Sequence, residues 1–269
     1  MELKDKKLFL LDMDGTIYLD DRLFDGTIDF LQHIKDMGGR YLFLTNNSSK
    51  GVESYVEKLH KLGIDAKAED FLTSVDATAA FLKERYGRDY GHKKIYLLGT
   101  ESFKKQMVDE GFSVTTEPEE DVDTLLIGFD RELTFKKLED ASRLLTGDIE
   151  YFATNPDWVC PTEFGSVPDC GSMCQMLEHA TGKMPHFIGK PQPEMALMAM
   201  VKTGFKPEET ILVGDRLYTD IACGVNAGID TCFVLSGEGT VDDIEKFNIN
   251  PTYISEDINE LLRRIKHEA

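Results

Sequence analysis

Three apolar runs in this sequence stop at clusters of polar, reactive residues, and this feature restricts the fold more than any other. The clusters begin at Asp12, at Thr45 and at Gly214. Each run has the length of a buried strand, and amphipathic segments with helical spacing lie between the runs. Such alternation is typical of an α/β fold with a parallel sheet and helices on both faces. Because ligands bind beyond the carboxyl ends of parallel strands, the three clusters are predicted to meet at one sheet edge.

The middle of the chain has weaker strand patterns than the two ends, which indicates an inserted segment. Glycine-containing linkers lie near residues 85–92 and 182–185. We therefore predict a Rossmann-like catalytic core formed by residues 1–86 and 187–269. An α/β domain at 87–186 is predicted to be inserted into that core.

Three local predictions depend on turn and cap residues. Ser48 or Ser49 is predicted to cap a helix that continues through Leu62. The stretch from Asn155 to Cys170, which contains proline and glycine, is predicted to be a long loop. The segment from Thr219 to Ala227 is predicted to form a helix between two strong strands.

The formal net charge of −19 limits the partners that this chain can attract. A field of that sign repels nucleic acid and anionic membranes, so neither is an expected partner. It also repels a phosphate ester, so a phosphate site here needs local positive charge, which favours a metal ion. No stretch approaches the ~20 apolar residues of a membrane span. The odd number of cysteines, five, and the lack of a secretory signal predict thiols and a cytoplasmic location.

The strand-end clusters contain three carboxylates. Asp12 and Asp14 can face the same site if the chain curls after the first strand, which Gly15 permits. Asp215 adds the third. Three carboxylates near one point repel each other unless a hard cation lies between them, and oxygen ligands suit Mg²⁺. Lys190 offers a second positive charge.

Each of these residues also has an ordinary interpretation. Asp12 alone could form a turn or cap a helix, and Lys190 alone could be a solvated surface residue. The hydroxyl of Thr45 and the backbone N–H groups near Asn46 can hold phosphate oxygens, but Thr45 alone could also cap a helix. The ordered occurrence of all of them at strand ends favours a catalytic site.

These residues resemble the four signatures of the haloacid-dehalogenase superfamily. The resemblance covers nearly the whole chain, and five longer motifs are similar to the NagD and p-nitrophenyl-phosphatase branch. That branch carries a large α/β cap of the C2 type, which matches the inserted segment. The four signatures are DMDGT at 12–16, Thr45, Lys190, and Gly214-Asp215 with Asp220. The longer motifs are LTNNSS at 44–49, ATNPD at 153–157, ATGK at 180–183, IGKP at 188–191 and GDRLYTDI at 214–221.

The resemblance implies a role for each matched residue. Asp12 attacks phosphorus and forms an aspartyl-phosphate. Asp14 protonates the leaving oxygen and then deprotonates the attacking water. Mg²⁺ is bound by the Asp12 carboxylate, the Asp14 backbone carbonyl and Asp215, with Asp220 in support. The predicted substrate contacts are Thr45, Asn46, Lys190 and Arg216.

The cap is expected to select the substrate. Asn155 and Asp157 resemble a cap loop that faces the active site. Trp158 beside them could stack on a substrate ring, but a lone tryptophan next to a loop is more often a packing residue. One departure from the branch is visible: Pro168–Gly171 reads Pro-Asp-Cys-Gly where a Pro-Gly-x-Gly turn is common. The charge of Asp169 there points to a different substrate preference.

The predicted function is that of a Mg²⁺-dependent phosphatase acting on a small phosphorylated metabolite. A sugar phosphate, phosphoglycolate, a nucleotide and p-nitrophenyl phosphate all stay open as substrates. Asp14 favours phosphoryl transfer over dehalogenation, because a halide needs no proton from it. Alternatives are a phosphotransferase or mutase, a phosphate-binding protein without turnover, and a receiver-like phosphoacceptor. A homodimer formed through the cap is expected by analogy only.

Overall fold

The computed structural model describes residues 2–162 and 164–268. These residues form strands and helices in frequent alternation, as the sequence pattern predicts. In chain order the strands are β1 (Leu8–Leu11), β2 (Tyr18–Leu19), β3 (Arg22–Leu23), β4 (Arg40–Thr45), β5 (Phe71–Thr73), β6 (Lys94–Leu98), β7 (Ser113–Thr115), β8 (Thr124–Ile127), β9 (Glu150–Ala153), β10 (Val159–Thr162), β11 (Gly165–Pro168), β12 (His186–Phe187), β13 (Thr210–Gly214), β14 (Asp230–Val234) and β15 (Tyr253–Ser255). The helices are α1 (Thr27–Asp36), α2 (Val52–Lys61), α3 (Ser74–Tyr86), α4 (Glu101–Asp109), α5 (Phe135–Leu144), α6 (Cys170–Thr181), α7 (Glu194–Thr203), α8 (Ala222–Asn226), α9 (Asp242–Phe247) and α10 (Ile258–Glu268).

The chain divides into two compact units. The first contains Met1–Thr45, Val52–Leu72 and Lys190–Ala269, and the second contains Asn46–Gly51 and Thr73–Gly189. Both are discontinuous, because short segments near residues 46, 72 and 190 pass from one unit to the other. No helix among the described residues is both long and apolar enough to cross a membrane.

The first unit is built on a sheet with the strand order β15-β14-β13-β1-β4-β5. Strand β1 lies between β13 and β4 and pairs in parallel with both. All four residues of β1 are buried, as expected for a strand covered on both faces. In α1, Phe30, Leu31 and Ile34 follow the helical spacing and are buried, and the Phe30 ring packs edge-on against Phe9 of β1 at 5.5 Å. Strand β1, which leads to Asp12, is therefore packed into the core of the first unit.

The second unit has its own parallel sheet, with the order β12-β9-β8-β6-β7, and a separate hairpin of β10 and β11. Its core contains buried side chains from β6, β8, β9 and α6, including Leu98, Ile127 and Leu177. The predicted α/β architecture, with an inserted α/β segment, agrees with this arrangement.

Helix α3 lies in the second unit, whereas the predicted boundary at residue 86 assigned it to the core. Its side chains make the contacts that explain the difference. The Phe81 ring packs against Phe152 with centroids 5.4 Å apart, and the Tyr86 hydroxyl donates to Glu150 at 2.6 Å. Both partners belong to β9. The second unit therefore starts at Thr73 on this side and ends at Gly189 on the other.

Residues 46–51 also belong to the second unit, which the sequence did not predict. The Ser48 hydroxyl accepts from the Phe129 backbone N–H at 2.8 Å and lies 2.9 Å from the Thr154 hydroxyl. The Thr100 hydroxyl donates to the Ser49 carbonyl at 3.1 Å. Because Ser48 is used in this way, helix α2 begins at Val52 and not after a cap at Ser48 or Ser49.

Of two further local predictions, the helix at 219–227 is confirmed and the loop at 155–170 is wrong. The stretch from Asn155 to Cys170 is not a plain loop, because β10 and β11 pair within it as an antiparallel hairpin. The predicted helix at 219–227 is a π-helical turn, Leu217–Ile221, followed by the short α8. π-Helical turns are uncommon and often occur at functional sites. The structure joins no two of the five cysteines, all of which it describes, by a disulfide.

Candidate active site

Asp12 and Asp215 lie at the ends of two neighbouring parallel strands. Leu11 of β1 is in register with Val213 of β13, and the Asp12 backbone N–H donates to the Val213 carbonyl at 2.9 Å. Asp12 therefore lies beside Gly214, and Asp215 follows one residue later, so both carboxylates stand at the same sheet edge, as the sequence pattern predicts.

Three carboxylates form a cluster at this edge of the first unit. One oxygen from each of Asp12, Asp215 and Asp220 lies within 4.8 Å of the other two. The π-helical turn brings Asp220 to the cluster, where its Oδ2 accepts from the Arg216 backbone N–H at 3.1 Å. Asp215 and Asp220 are almost fully buried.

Lys190 lies against this cluster and supplies its positive charge. Its ammonium nitrogen is 2.7 Å from Oδ1 of Asp12, 2.6 Å from Oδ1 of Asp220 and 3.2 Å from the Leu44 carbonyl. The lysine side chain is only 2% exposed. Removing a charge from water is costly, so the buried lysine needs the two carboxylates as counter-charges.

The electrostatics of the cluster follow from burial and crowding. Burial raises the pKa of Asp12 well above its usual range, Asp220 raises it further, and Lys190 opposes both. Burial and the Asp220 charge raise the pKa of Asp215 to about 7. Burial opposes the charge of Lys190, but Asp12 and Asp220 outweigh it and raise the lysine pKa above its ordinary value. Three carboxylates thus share one lysine, and ionising all three of them is unfavourable.

Asp215 is arranged as a cation ligand. Its Oδ2 accepts from the Glu238 backbone N–H at 2.7 Å, whereas its buried Oδ1 has no hydrogen-bond partner. A Cβ on Gly15, which has φ +90°, would lie 2.5 Å from Asp215 Oδ2, and one on Gly237 would lie 2.0 Å from it. Two glycines thus keep side chains away from this carboxylate. A buried carboxylate oxygen without a partner beside two other carboxylates fits a hard divalent cation.

The carboxylate of Asp14 has partners outside the cluster of Asp12, Asp215 and Asp220. The Tyr18 hydroxyl lies 3.4 Å from its Oδ2, and the Lys58 ammonium lies 3.7 Å from its Oδ1. The Asp14 side chain is 46% exposed. It is therefore accessible at the sheet edge where Asp12 lies two residues away, which suits an acid and base more than a buried ligand.

The predicted phosphate contacts differ in their surroundings. Thr45 is buried at the end of β4, next to β1. The Arg216 guanidinium donates through Nε to Glu238 at 2.8 Å. The Asn46 side chain, in the second unit, donates to Asp157 at 2.7 Å. Thr45 therefore lies in the first unit with the carboxylate cluster, while the Asn46 amide is used by the second unit.

The predicted cap residues Asn155 and Asp157 form a buried polar network. Oδ2 of Asp157 accepts from Nδ2 of Asn155 and from Nδ2 of Asn46, each at 2.7 Å. Asn155 also donates to Asp169 at 3.1 Å, and Asp169 caps α6 at its Cys170 N–H. The unusual Asp169 is thus a helix cap in this network. Trp158 is 48% exposed, so it is not part of the buried core.

Sequence reasoning missed Tyr18, Lys58, Glu238 and Gly237. One signal for Lys58 was present: Tyr55 and Leu59 are the buried positions of α2, so Lys58 lies at the border of the buried face. Glycine and glutamate in the loop after β14 carry no comparable pattern, because their role depends on where β14 lies relative to Asp215.

The fold and the carboxylate cluster together are typical of α/β enzymes that transfer an anionic group to an aspartate. An aspartate at the end of the central strand, a buried lysine beside it and a cation-type carboxylate cluster suit transfer of an anionic group to the aspartate.

Comparisons with known proteins identify the family. Residues 9–113 match the haloacid dehalogenase-like hydrolases, and residues 187–261 match the HAD-hydrolase-like family. The acid sugar phosphatase of Staphylococcus aureus is 34% identical over 264 residues, which cover 98% of this chain and 100% of that protein. The crystal structure of 4-nitrophenylphosphatase from Thermotoga maritima has a TM-score of 0.89 at 40% identity and covers 97% of this chain and 98% of that one. A glycerol phosphate phosphatase from Mycobacterium tuberculosis, in complex with magnesium, has a TM-score of 0.89 at 29% identity, covering 98% and 79%.

The chain belongs to the haloacid dehalogenase-like hydrolases, in the branch of NagD and the p-nitrophenyl phosphatases. The predicted family, the fold class and the enzyme class, a phosphoric monoester hydrolase, are confirmed.

Proposed function

We propose that this protein is a Mg²⁺-dependent phosphatase that hydrolyses a small phosphate monoester through an aspartyl-phosphate on Asp12. The observation that carries the proposal is the pairing of Asp12 with the buried Lys190 beside an unpartnered oxygen of Asp215. Phosphoryl transfer of this kind needs a nucleophilic carboxylate, a fixed cation and a carboxylate that can bind a metal ion. Asp12, Lys190 and Asp215 are suited to these three roles.

Asp12, Asp215 and the backbone carbonyl of Asp14 are the proposed ligands of Mg²⁺. When bound, the ion neutralises phosphate oxygens and so permits an anionic ester to approach a carboxylate. Both Asp220 oxygens accept hydrogen bonds, from Lys190 and from the Arg216 N–H, so its proposed role is to hold the lysine and support the site. A magnesium complex of a relative with the same fold supports the choice of ion.

The first chemical step uses Asp12 and Asp14. An oxygen of Asp12 forms a bond to phosphorus while the bond from phosphorus to the ester oxygen breaks. Asp14 transfers its proton to that leaving oxygen, so the product leaves as a neutral alcohol. Lys190, 2.7 Å from Asp12, holds the nucleophile and offsets charge on the transferring group.

The second step releases phosphate. Asp14, now ionised, takes a proton from a water molecule as the water oxygen bonds to phosphorus. The bond between phosphorus and Asp12 breaks, which regenerates the carboxylate. The Thr45 hydroxyl is the proposed contact for a phosphate oxygen, because Thr45 ends the strand beside β1. Asn46 through its backbone N–H, and Arg216, stay predicted contacts.

We propose a sugar or polyol phosphate as the substrate class. The relatives include an acid sugar phosphatase, a glycerol phosphate phosphatase and 4-nitrophenylphosphatases, which share a phosphate monoester of modest size. The role of Asn155 and Asp157 in substrate choice, and a homodimer formed through the second unit, stay predictions.

The test is a panel of phosphate monoesters assayed with purified protein, first freed of metal and then supplied with MgCl₂. We expect hydrolysis only with the metal, and the highest kcat/KM with sugar or polyol phosphates. No hydrolysis of any ester would overturn the proposal in favour of phosphate binding without turnover. Transfer to an added sugar that exceeds hydrolysis would indicate a phosphotransferase.

A further inference from the structure

Lys58 and Tyr18 form a triangle with Asp14 at the edge of the first unit. The Lys58 ammonium lies 3.7 Å from Oδ1 of Asp14, and the Tyr18 hydroxyl lies 3.4 Å from Oδ2. The same ammonium lies 3.8 Å from the centroid of the Tyr18 ring. Each carboxylate oxygen therefore faces its own partner, and the two partners contact each other.

Within this triangle, Tyr18 is held in place more firmly than Asp14. Tyr18 is 1% exposed and belongs to the core of the first unit, and the Gly15 backbone N–H donates to its carbonyl at 2.8 Å. Asp14, in contrast, is 46% exposed, so burial alone does not select its rotamer. The buried ring and the lysine above it can supply the orientation that burial does not.

Lys58 comes to this place on helix α2, whose buried residues Tyr55 and Leu59 pack into the same core. The Lys58 side chain is 27% exposed. Its ammonium lies over the face of the Tyr18 ring, where the ring electrons attract a cation. The head group is thus held at a defined position relative to the carboxyl group of Asp14.

We propose that Lys58 and Tyr18 are positioning residues that hold the Asp14 carboxyl group towards the leaving oxygen of the substrate. The inference rests on the proposed role of Asp14 in the phosphatase reaction. It adds two residues to that reaction, neither of which touches the reacting atoms. A displacement of about 1 Å at a catalytic group can cost roughly 100-fold in rate, so the orientation of an exposed carboxyl group matters.

The test compares leaving groups, because only a poor leaving group needs the proton of Asp14. The value of kcat/KM reports the first phosphoryl transfer and is measured over a series of aryl and alkyl phosphates of rising leaving-group basicity. In Lys58→Met we expect a loss of roughly 10- to 100-fold for alkyl phosphates and little change for p-nitrophenyl phosphate. Tyr18→Phe, which keeps the ring beneath Lys58, should show a smaller loss in the same direction.

Two variants keep the result interpretable. Lys61→Met removes the same charge from an exposed position of α2 and should behave as wild type. Lys58→Arg keeps a cation over the ring and should retain most activity towards alkyl phosphates, even if Lys58→Met folds poorly. Melting temperatures of all variants show which of them are folded.

A double-mutant cycle with Asp14→Asn separates positioning from a general structural role. We expect Lys58→Met to cause no further loss once Asp14 is asparagine, because the positioned carboxyl group is gone. Equal losses for good and poor leaving groups, in both backgrounds, would overturn the inference while the phosphatase proposal stands. If Asp14→Asn itself left the leaving-group dependence unchanged, the acid role of Asp14 would fall, and the inference with it.

Discussion

The ammonium of Lys190 lies 2.7 Å from Oδ1 of Asp12, although 178 positions separate the two residues in the chain. The lysine also holds Asp220 at 2.6 Å, and the buried Oδ1 of Asp215 in the same cluster has no hydrogen-bond partner. One fixed cation is thus shared between the proposed nucleophile, Asp12, and the carboxylate of Asp220. The remaining anionic oxygen is available to a second, exchangeable cation.

Replacing Asp12 with asparagine should abolish turnover without unfolding the protein. The carboxamide has the shape of the carboxylate but cannot form the aspartyl-phosphate, so we expect kcat to fall by roughly a thousandfold or more. The measurement is hydrolysis of p-nitrophenyl phosphate with saturating Mg²⁺. Circular dichroism spectra should match wild type, and activity within tenfold of wild type would disprove the nucleophile assignment.

Replacing Lys190 with methionine should reduce both stability and activity. Asp12 and Asp220 would lose their shared counter-charge, and breaking a buried ion pair costs about 3–5 kcal/mol. We expect a lower midpoint of denaturant unfolding and a strong loss of kcat. Mg²⁺ should restore part of the stability, because it brings positive charge back to the cluster, but not the activity.

The exposed Lys61→Met variant is the matched control for that experiment and should unfold at the wild-type midpoint. If Lys190→Met were as stable and as active as this control, the lysine would not be the counter-charge of the cluster.

The edge of the first sheet could be predicted from the sequence because its signals are local. A buried apolar run predicts a strand, and a carboxylate just after the run predicts a site residue at the strand end. Asp12 and Asp215 were found in this way. Parallel pairing then brings these ends together without knowledge of any other contact. Lys190 alone fits a solvated surface residue equally well, so it could be predicted only as one member of the ordered set.

The division into units could not be predicted in the same way, because it depends on contacts between distant residues. Nothing in the local pattern of residues 46–51 shows that Ser48 bonds to Phe129 and Thr154. Helix α3 has only a weak amphipathic pattern, and only its contacts with β9 show where it packs. Tyr18 and Lys58 were missed for the same reason, since the contact between them joins β2 to helix α2.

Binding of Mg²⁺ should strengthen as the pH rises through about 7. Burial and Asp220 raise the pKa of Asp215 from its ordinary 3.8 to about 7, and a metal ligand must lose its proton to bind. We expect the rise in melting temperature caused by MgCl₂ to be larger at pH 8 than at pH 6. The effect should disappear in Asp215→Asn, and a Mg²⁺ effect independent of pH would contradict the assignment.

In the metal-free protein, the contribution of Asp215 to the free energy of unfolding should have the opposite pH dependence. Between pH 3.8 and about 7 the folded state keeps a proton on Asp215 that the unfolded chain has lost. Protons bound to the folded state stabilise it, so the contribution of Asp215 to the free energy of unfolding falls as pH rises through this window. The comparison of wild type with Asp215→Asn in EDTA isolates that contribution. A wild-type stability that rose relative to the variant would show that the carboxylate is stabilised, not repelled, in the cluster.

Replacing Asp157 with alanine should destabilise the second unit. Asp157 is 2% exposed, and its Oδ2 accepts from the side-chain amides of Asn46 and Asn155, each at 2.7 Å. Removing the acceptor takes one hydrogen bond from each of two buried amides, and each such loss costs about 1–3 kcal/mol. We expect a melting temperature several degrees below wild type. Asp148→Ala, at an exposed site in the same unit, is the control and should melt as wild type does. If the two variants melted together, the network around Asp157 would contribute nothing to the fold, and a role for Asp157 in substrate choice would become the better explanation of its position.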